Sequence, residues 1–306
     1  MDKVNAQILR LKQSEIDRDK WDNCINEALN SRVYALSWYL DITCPNWEGL
    51  VYGDYEYVLP LTITKKLGLE LLLRPPYSQQ LGIFPSPDRS ITEEFLKYLE
   101  QFKLVEYPFN SDLLPITNLK AEMKERPNFV LPLYGQYEAI SGRFSKHCKR
   151  QIKKAEKNQI QVTTSSNIID FIEQTEQNAN YPITPKTKIC LQQLLSKSIY
   201  QGNGIIQSAY DTQNKLCASV FWLRHRNRIY YLSAFSTSEG KKQSAMYVLI
   251  HEMIRTNSGT QFVIDFEGST IEGIARLYKG FGATAETYFN AKLNQLPWPL
   301  NHFYGK

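Results

Sequence analysis

Asp265-Phe-Glu-Gly-Ser-Thr-Ile-Glu-Gly-Ile-Ala-Arg-Leu-Tyr-Lys-Gly-Phe-Gly-Ala283 follows the apolar run Phe262-Val-Ile. That run predicts a buried strand, with Asp265 and Glu267 at its end, where a cleft usually opens in an α/β sheet. Beyond the turn, Ile271, Ile274, Leu277, Tyr278 and Phe281 recur at helical spacing, and Gly280 and Gly282 are placed to end the helix. The stretch therefore reads as strand, turn and short helix. Arg276 and Lys279 lie three residues apart on that helix, near one face. Asp265 and Ser269 are also of the types that cap a helix.

The same alternation of periods extends outward. A helix is expected over 244–255, with Met246, Leu249, Ile250 and Met253 on its buried face, and long strands over 216–224 and 228–235. Before them come a strand over 160–163, helices over 168–177 and 188–200, and a strand over 205–210. In the first half, helices are expected over 15–29, 35–41 and 92–102. Gly53-Asp54 predicts a hairpin turn between two β-prone runs, and strands are expected over 69–73, 104–108 and 129–133. Each half thus follows roughly the same element order, which predicts two domains, 1–139 and 140–306, divided at the connector 135–142. Each is of mixed α/β (α+β) class, with a mostly antiparallel sheet flanked by helices.

Composition sets the outer bounds. The chain has 306 residues, 42% of them hydrophobic and 22% charged, which describes globular domains. Five scattered cysteines never form Cys-x-x-Cys, and His147, His225, His251 and His302 show no ligand spacing, so no metal is expected. No apolar run is long enough to cross a bilayer and Met1 to Gln7 is not a signal segment, so a cytoplasmic location is expected. The net charge of +5 is concentrated between Arg143 and Lys157, where Phe144, Cys148, Ile152 and Ala155 form the apolar stripe of a basic helix.

Phe129-Val-Leu-Pro-Leu, the basic block Phe144-Ser-Lys-His-Cys-Lys-Arg-Gln-Ile-Lys-Lys-Ala-Glu-Lys157, Tyr230-Tyr-Leu-Ser-Ala-Phe, Asp265-Phe-Glu-Gly and Leu277-Tyr-Lys-Gly-Phe-Gly-Ala283 occur in that order. Together they resemble the blocks of FemAB-like peptidyltransferases. The first half matches mainly in element order and in Pro-Pro-Tyr-x-Gln-Gln. The resemblance implies two tandem domains of the GNAT acyltransferase fold and transfer of an acyl or aminoacyl group to a small-molecule or peptide amine. Acyl-coenzyme A or aminoacyl-tRNA would be the donor, and the cell-wall peptidoglycan precursor is the acceptor in FemAB-like enzymes. The chain departs from larger members in lacking a coiled-coil arm, which weighs against tRNA.

Acyl transfer passes through an oxyanion and needs a base for the attacking ammonium. Lys279, at the position of the lysine in the family's aromatic-Lys-x-x-Phe block, is the candidate for charge stabilisation; Asp265 or Glu267 is the candidate base. Tyr231 and Ser233 are candidates for hydrogen bonding to substrate. Arg74, Tyr77, Gln79 and Gln80, in a proline-stiffened loop at a strand end, are candidates for a substrate wall. Glu239-Gly-Lys-Lys-Gln-Ser-Ala245 matches the coenzyme A loop only partly, but Lys241 and Lys242 beside a helix start suit an anion. Arg150 and Lys153 of the basic block are further phosphate candidates. The alternative reading is a GNAT-fold protein that binds an anionic ligand without catalysis.

Overall fold

The computed structural model describes residues 7–113, 120–165, 167–179, 181–268 and 271–303; Ser269 of the expected capping pair lies outside them. In chain order the elements are β1 (Ile8–Lys12), α1 (Arg18–Glu27), α2 (Ser37–Thr43), β2 (Glu48–Tyr52), β3 (Tyr57–Leu61), β4 (Ile63–Lys66), β5 (Leu69–Leu73), α3 (Arg89–Leu99), β6 (Leu104–Pro108) and β7 (Glu122–Pro132). Then follow α4 (Tyr137–Gly142), α5 (Lys146–Lys157), β8 (Gln161–Ser165), α6 (Ile168–Asn178), α7 (Pro185–Tyr200), β9 (Gly204–Tyr210), β10 (Leu216–His225) and β11 (Arg228–Ser236). The last are α8 (Ser238–Lys242), α9 (Ala245–Asn257), β12 (Val263–Asp265), α10 (Glu272–Gly280), β13 (Thr284–Asn294) and α11 (Leu300–Phe303).

The chain divides into two compact units, residues 1–126 with 287–306, and residues 127–286. This differs from the expected 1–139 and 140–306. The polar connector does not separate the units: it forms α4, whose Ile140 is fully buried in the core of the second one. The C-terminal tail returns to the first unit because β13 pairs antiparallel with β6, Ala291 opposite Tyr107.

In the first unit β1, β2 and β3 form an antiparallel sheet, while β4, β5, β6 and β13 form a second set in which β5 and β6 are parallel. Its core is aromatic: Trp21 and Trp47 are fully buried with ring centroids 4.9 Å apart, and Tyr107 meets Phe109 edge-on at 5.0 Å. Asp17 and Asp88 cap α1 and α3 by accepting the N–H of Lys20 and Ile91.

The second unit has the strand order β7-β12-β11-β10-β9-β8, with β11 and β12 the parallel pair and every other neighbour antiparallel. The expected stripe of α5 is its buried face: Cys148, Ile152 and Ala155 share one core with Leu249, Ile250 and Met253 of α9 and Trp222 of β10. Period-two alternation sends Phe221 to the other face, where it and Phe235 meet Phe171 of α6. Both units are thus mixed α/β, with sheets flanked by helices, as the sequence led one to expect. No helix among the described residues is long and apolar enough to cross a membrane.

Candidate active site

β11 and β12 pair only at Arg228, Ile229 and Tyr230, opposite Val263, Ile264 and Asp265. Beyond Tyr230, β11 runs on to Ser236 while the other chain turns away through Phe266-Glu-Gly268. The separation of two parallel strands at their carboxyl ends opens a crevice. A cavity of about 620 Å³ occupies it, walled by Tyr231 to Ser236, Phe266 to Gly268, the start of α9, and Ile271, Ile274, Leu277 and Tyr278 from α10 and the residue before it.

The wall formed by β11 is irregular. Phe221 opposes Ser233 and the next residue, Trp222, opposes Tyr231, so Leu232 is an extra residue outside the ladder. Such a bulge frees backbone polar groups and redirects side chains, which is why bulges concentrate beside active sites. Ser233 Oγ shares a hydrogen bond with the Tyr181 hydroxyl at 3.2 Å, and Tyr231 donates to Met246 Sδ at 3.0 Å. Phe266 and Tyr278 stack at 4.5 Å and close one end.

Glu267 lines the cavity from a left-handed backbone conformation, φ 56°, which a non-glycine residue rarely adopts. Its N–H donates to Asp265 Oδ1 at 3.0 Å. Burial pushes the Tyr181 phenol up; the hydrogen bond to Ser233 opposes this and the Glu267 charge adds to it. Burial and then the same charge raise Tyr278, while burial, Tyr278 and Tyr181 raise Tyr231. All three phenols are therefore held neutral, Tyr181 and Tyr278 within reach of the Glu267 charge.

At the mouth, Lys241 of α8 lines the cavity. α8 lies flat on β10: a Cβ on Gly240 would stand 1.8 Å from the Cys217 carbonyl oxygen. Ser244, with φ 63°, turns the chain into α9 and donates to Gln151 of α5 at 2.5 Å. Tyr247, also in the lining, meets the His147 ring of α5 at 6.1 Å.

Among the residues expected from the sequence, Glu267, Tyr231, Ser233 and Lys241 come together in this lining. Asp265 does not. Alternation along β12 puts Phe266 toward the cavity and Asp265 on the opposite side, fully buried and paired with Arg228 at 2.7 Å. Lys279 is exposed, with its ammonium 5.6 Å from the centre of the Phe129 ring. It follows Tyr278 by one helical step, which turns it away from the face that Ile274, Leu277 and Tyr278 present. Arg276 is exposed and pairs with Glu272 at 2.6 Å. Lys242 is exposed and paired with Glu239, and Arg150 and Lys153 lie on the outer face of α5, where Arg150 bonds His147.

The expected substrate wall of the first unit is part of its own packing. Gln79 and Gln80 are buried; Gln80 accepts the Ser111 N–H and donates to Gln79, and the Tyr77 carbonyl accepts from Tyr39. Arg74 is exposed. None of the four is in the lining of the cavity. Sequence reasoning missed Tyr181, which sits in a non-periodic Asn-Tyr-Pro loop, and the bulge at Leu232, which leaves no mark on the alternation of β11. Among the described residues no group of three or more His, Cys, Asp or Glu is placed to hold a metal.

Residues 142–270 match the family model of the acetyltransferase (GNAT) domain, a span that includes Tyr181, Ser233, Lys241 and Glu267. Among solved structures, the chain is similar to FemX, with a TM-score of 0.63 and 12% identity, over 97% of this chain and 100% of that one. It is also similar to a conserved protein of unknown function from Bacteroides thetaiotaomicron (TM-score 0.57, 10% identity, 94% and 100% covered). A third is L-PGS from Bacillus licheniformis (TM-score 0.52, 10% identity, 94% and 95% covered). At these identities the likeness is one of fold. The GNAT-fold resemblance seen in the sequence is borne out by the family match over residues 142–270, and the likeness to FemX extends it as a fold over nearly the whole chain. No curated protein matches the sequence.

Proposed function

We propose that the second unit transfers an acyl or aminoacyl group to an amine, and that the cavity between β11 and β12 is where the transfer occurs. The observation that carries this reading is the convergence of Glu267, Tyr181, Ser233 and the bulged Leu232 in one crevice, inside the span that matches the GNAT family model. Glu267 takes a proton from the attacking ammonium. The freed nitrogen lone pair then adds to the donor carbonyl carbon, and the carbonyl oxygen becomes an oxyanion. The Tyr181 and Ser233 hydroxyls share one hydrogen bond, which leaves one of their two protons to donate to that oxygen. Collapse of the tetrahedral adduct forms the amide and expels the donor's thiol or hydroxyl group with a proton.

Lys241 at the mouth suits a donor that carries phosphate, such as acyl-coenzyme A or the end of an aminoacyl-tRNA. The resemblance of the sequence blocks to FemAB-like enzymes favours an amine on a peptide or small molecule as acceptor. Lys279 has no part in this reading.

A thermal-shift screen of coenzyme A esters, aminoacyl-tRNA and nucleotide-linked peptide precursors tests it. One class is expected to stabilise the protein, and the shift is expected to disappear in Ala234→Trp, which fills the cavity wall. A ligand that stabilises the wild type and Ala234→Trp equally binds elsewhere and removes the cavity from the account.

A further inference from the structure

Behind Glu267, on the side of β12 away from the cavity, lies a chain of charges that the transfer step does not use. Asp265 Oδ2 accepts from Arg228 Nη1 at 2.7 Å, Arg228 Nη2 lies 3.5 Å from Glu286 Oε1, and Glu286 Oε2 accepts from Asn128 Nδ2 at 3.3 Å. The Asp265 side chain is 1% exposed, that of Arg228 15% and that of Glu286 28%, so the chain runs from the core to the surface. Burial alone would lower the Arg228 guanidinium; Asp265, Tyr230 and Glu286 together raise it instead, and it is a fixed cation. The second oxygen of Asp265, Oδ1, accepts the Glu267 N–H and so holds the turn in which Glu267 has φ 56°.

We propose that Arg228, Asp265 and Glu286 form a positioning network for Glu267: Asp265 fixes its backbone, and Arg228 cancels the charge that Asp265 would otherwise project onto the cavity carboxylate. The inference rests on the transfer reading for its purpose, but its geometry and its test do not depend on turnover.

A buried carboxylate two residues from a proton acceptor would favour protonation of that acceptor, and an unbalanced cation in the same place would oppose it. The Glu267 charge acts on Tyr181 from the loop before α7 and on Tyr278 from α10, and Tyr231 and Ser233 from β11 and Lys241 from α8 line the same cavity. The phenols stay neutral through the acid range, so the charges that the variants below change are those of the Asp265–Arg228–Glu286 chain, with Lys241 common to every variant.

The experiment is a carboxyl-carbon NMR titration of the full chain labelled at glutamate side chains, with the Glu267 signal assigned by its loss in Glu267→Gln. Asp265→Asn is expected to lower the Glu267 midpoint, and Arg228→Met to raise it, each by about half a pH unit or more. Asp265→Ala, which removes the acceptor, is expected to speed amide exchange at Glu267 on the order of tenfold, while Asp265→Asn keeps it slow. If Arg228→Met does not fold, Glu286→Gln replaces it and is expected to lower the midpoint by less than Asp265→Asn does. The network has no such role if Asp265→Asn and Arg228→Met move the midpoint in the same direction, if Glu286→Gln lowers it as far as Asp265→Asn does, or if none of these variants moves it. The titration is read without substrate, so a protein that shows these shifts and no transfer loses the proposed function and keeps the network. Unmoved midpoints in a protein that does carry out transfer overturn the network and leave the proposed function standing.

Discussion

Glu267 occupies backbone space that costs an L-residue about 1–2 kcal/mol, and it does so at the rim of the cavity. A strained residue retained where the chemistry is proposed gives two separable predictions. Glu267→Gly relieves the strain and is expected to raise stability by about 1 kcal/mol in urea unfolding, while transfer is lost. Glu267→Gln leaves the backbone as it is, so Tm should not move, and the transfer rate should fall roughly 100- to 10,000-fold, the usual contribution of a general base. The sequence showed that a carboxylate stood at this strand end. It could not show which of Asp265 and Glu267 faces the cavity, because that depends on a three-residue strand whose register only its neighbours fix. Lys279 falls outside the cavity lining for a related reason. Its position in the Leu-Tyr-Lys-Gly-Phe-Gly block is easy to read, but the rotation of α10 is set by the packing of Tyr278 on Phe266.

At the scale of elements, the site is a set of strand ends and helix starts held by packing. α8 carries Lys241 to the mouth, and Gly240 lets it lie against β10 with no room for a side chain. Gly240→Ala must lift α8 off the Cys217 carbonyl. It is expected to cost about 1–3 kcal/mol in denaturant unfolding and to weaken any phosphate-bearing donor at the mouth, with the loss smaller at high salt. Lys241→Ala should weaken the same donor without the stability cost, which separates the charge from the platform. Most elements were legible from periodicity, α5 most clearly, since its apolar spacing of four, four and three has one helical solution. β1 escaped because Ile8-Leu-Arg-Leu-Lys12 is too short and too exposed to show alternation. The packing of the first-unit loop was not legible, because prolines and glutamines mark irregular backbone without saying whether it faces solvent or fills its own core.

Over the whole molecule, both units keep their thiols reduced and buried or half-buried. Burial pushes Cys24 up to about 11, and Cys148 and Cys190 up to about 12, from an ordinary value of 9.0. These groups are neutral in the folded chain at a pH where the unfolded chain already carries thiolate. Stability is therefore complete below about pH 9 and falls as pH rises toward 12, since the unfolded state then binds fewer protons. Unfolding followed by fluorescence between pH 8 and 11 should show this decline, and native alkylation at neutral pH should be slow at these three positions until denaturant is added. The two-unit plan was readable as a repeated element order. The return of residues 287–306 to the first unit was not, because pairing between strands far apart in sequence, such as β13 with β6, leaves no local pattern.

Acyl transfer in the cavity between β11 and β12 is decided by single-turnover transfer from whichever donor class stabilises the protein to a panel of amines, comparing wild type with Glu267→Gln at saturating donor. Amide product in the wild type, with a rate lower by about 100-fold or more in the variant and unchanged donor binding, is the predicted result. Equal rates in the two proteins, or no product from any donor that binds the cavity, would contradict it.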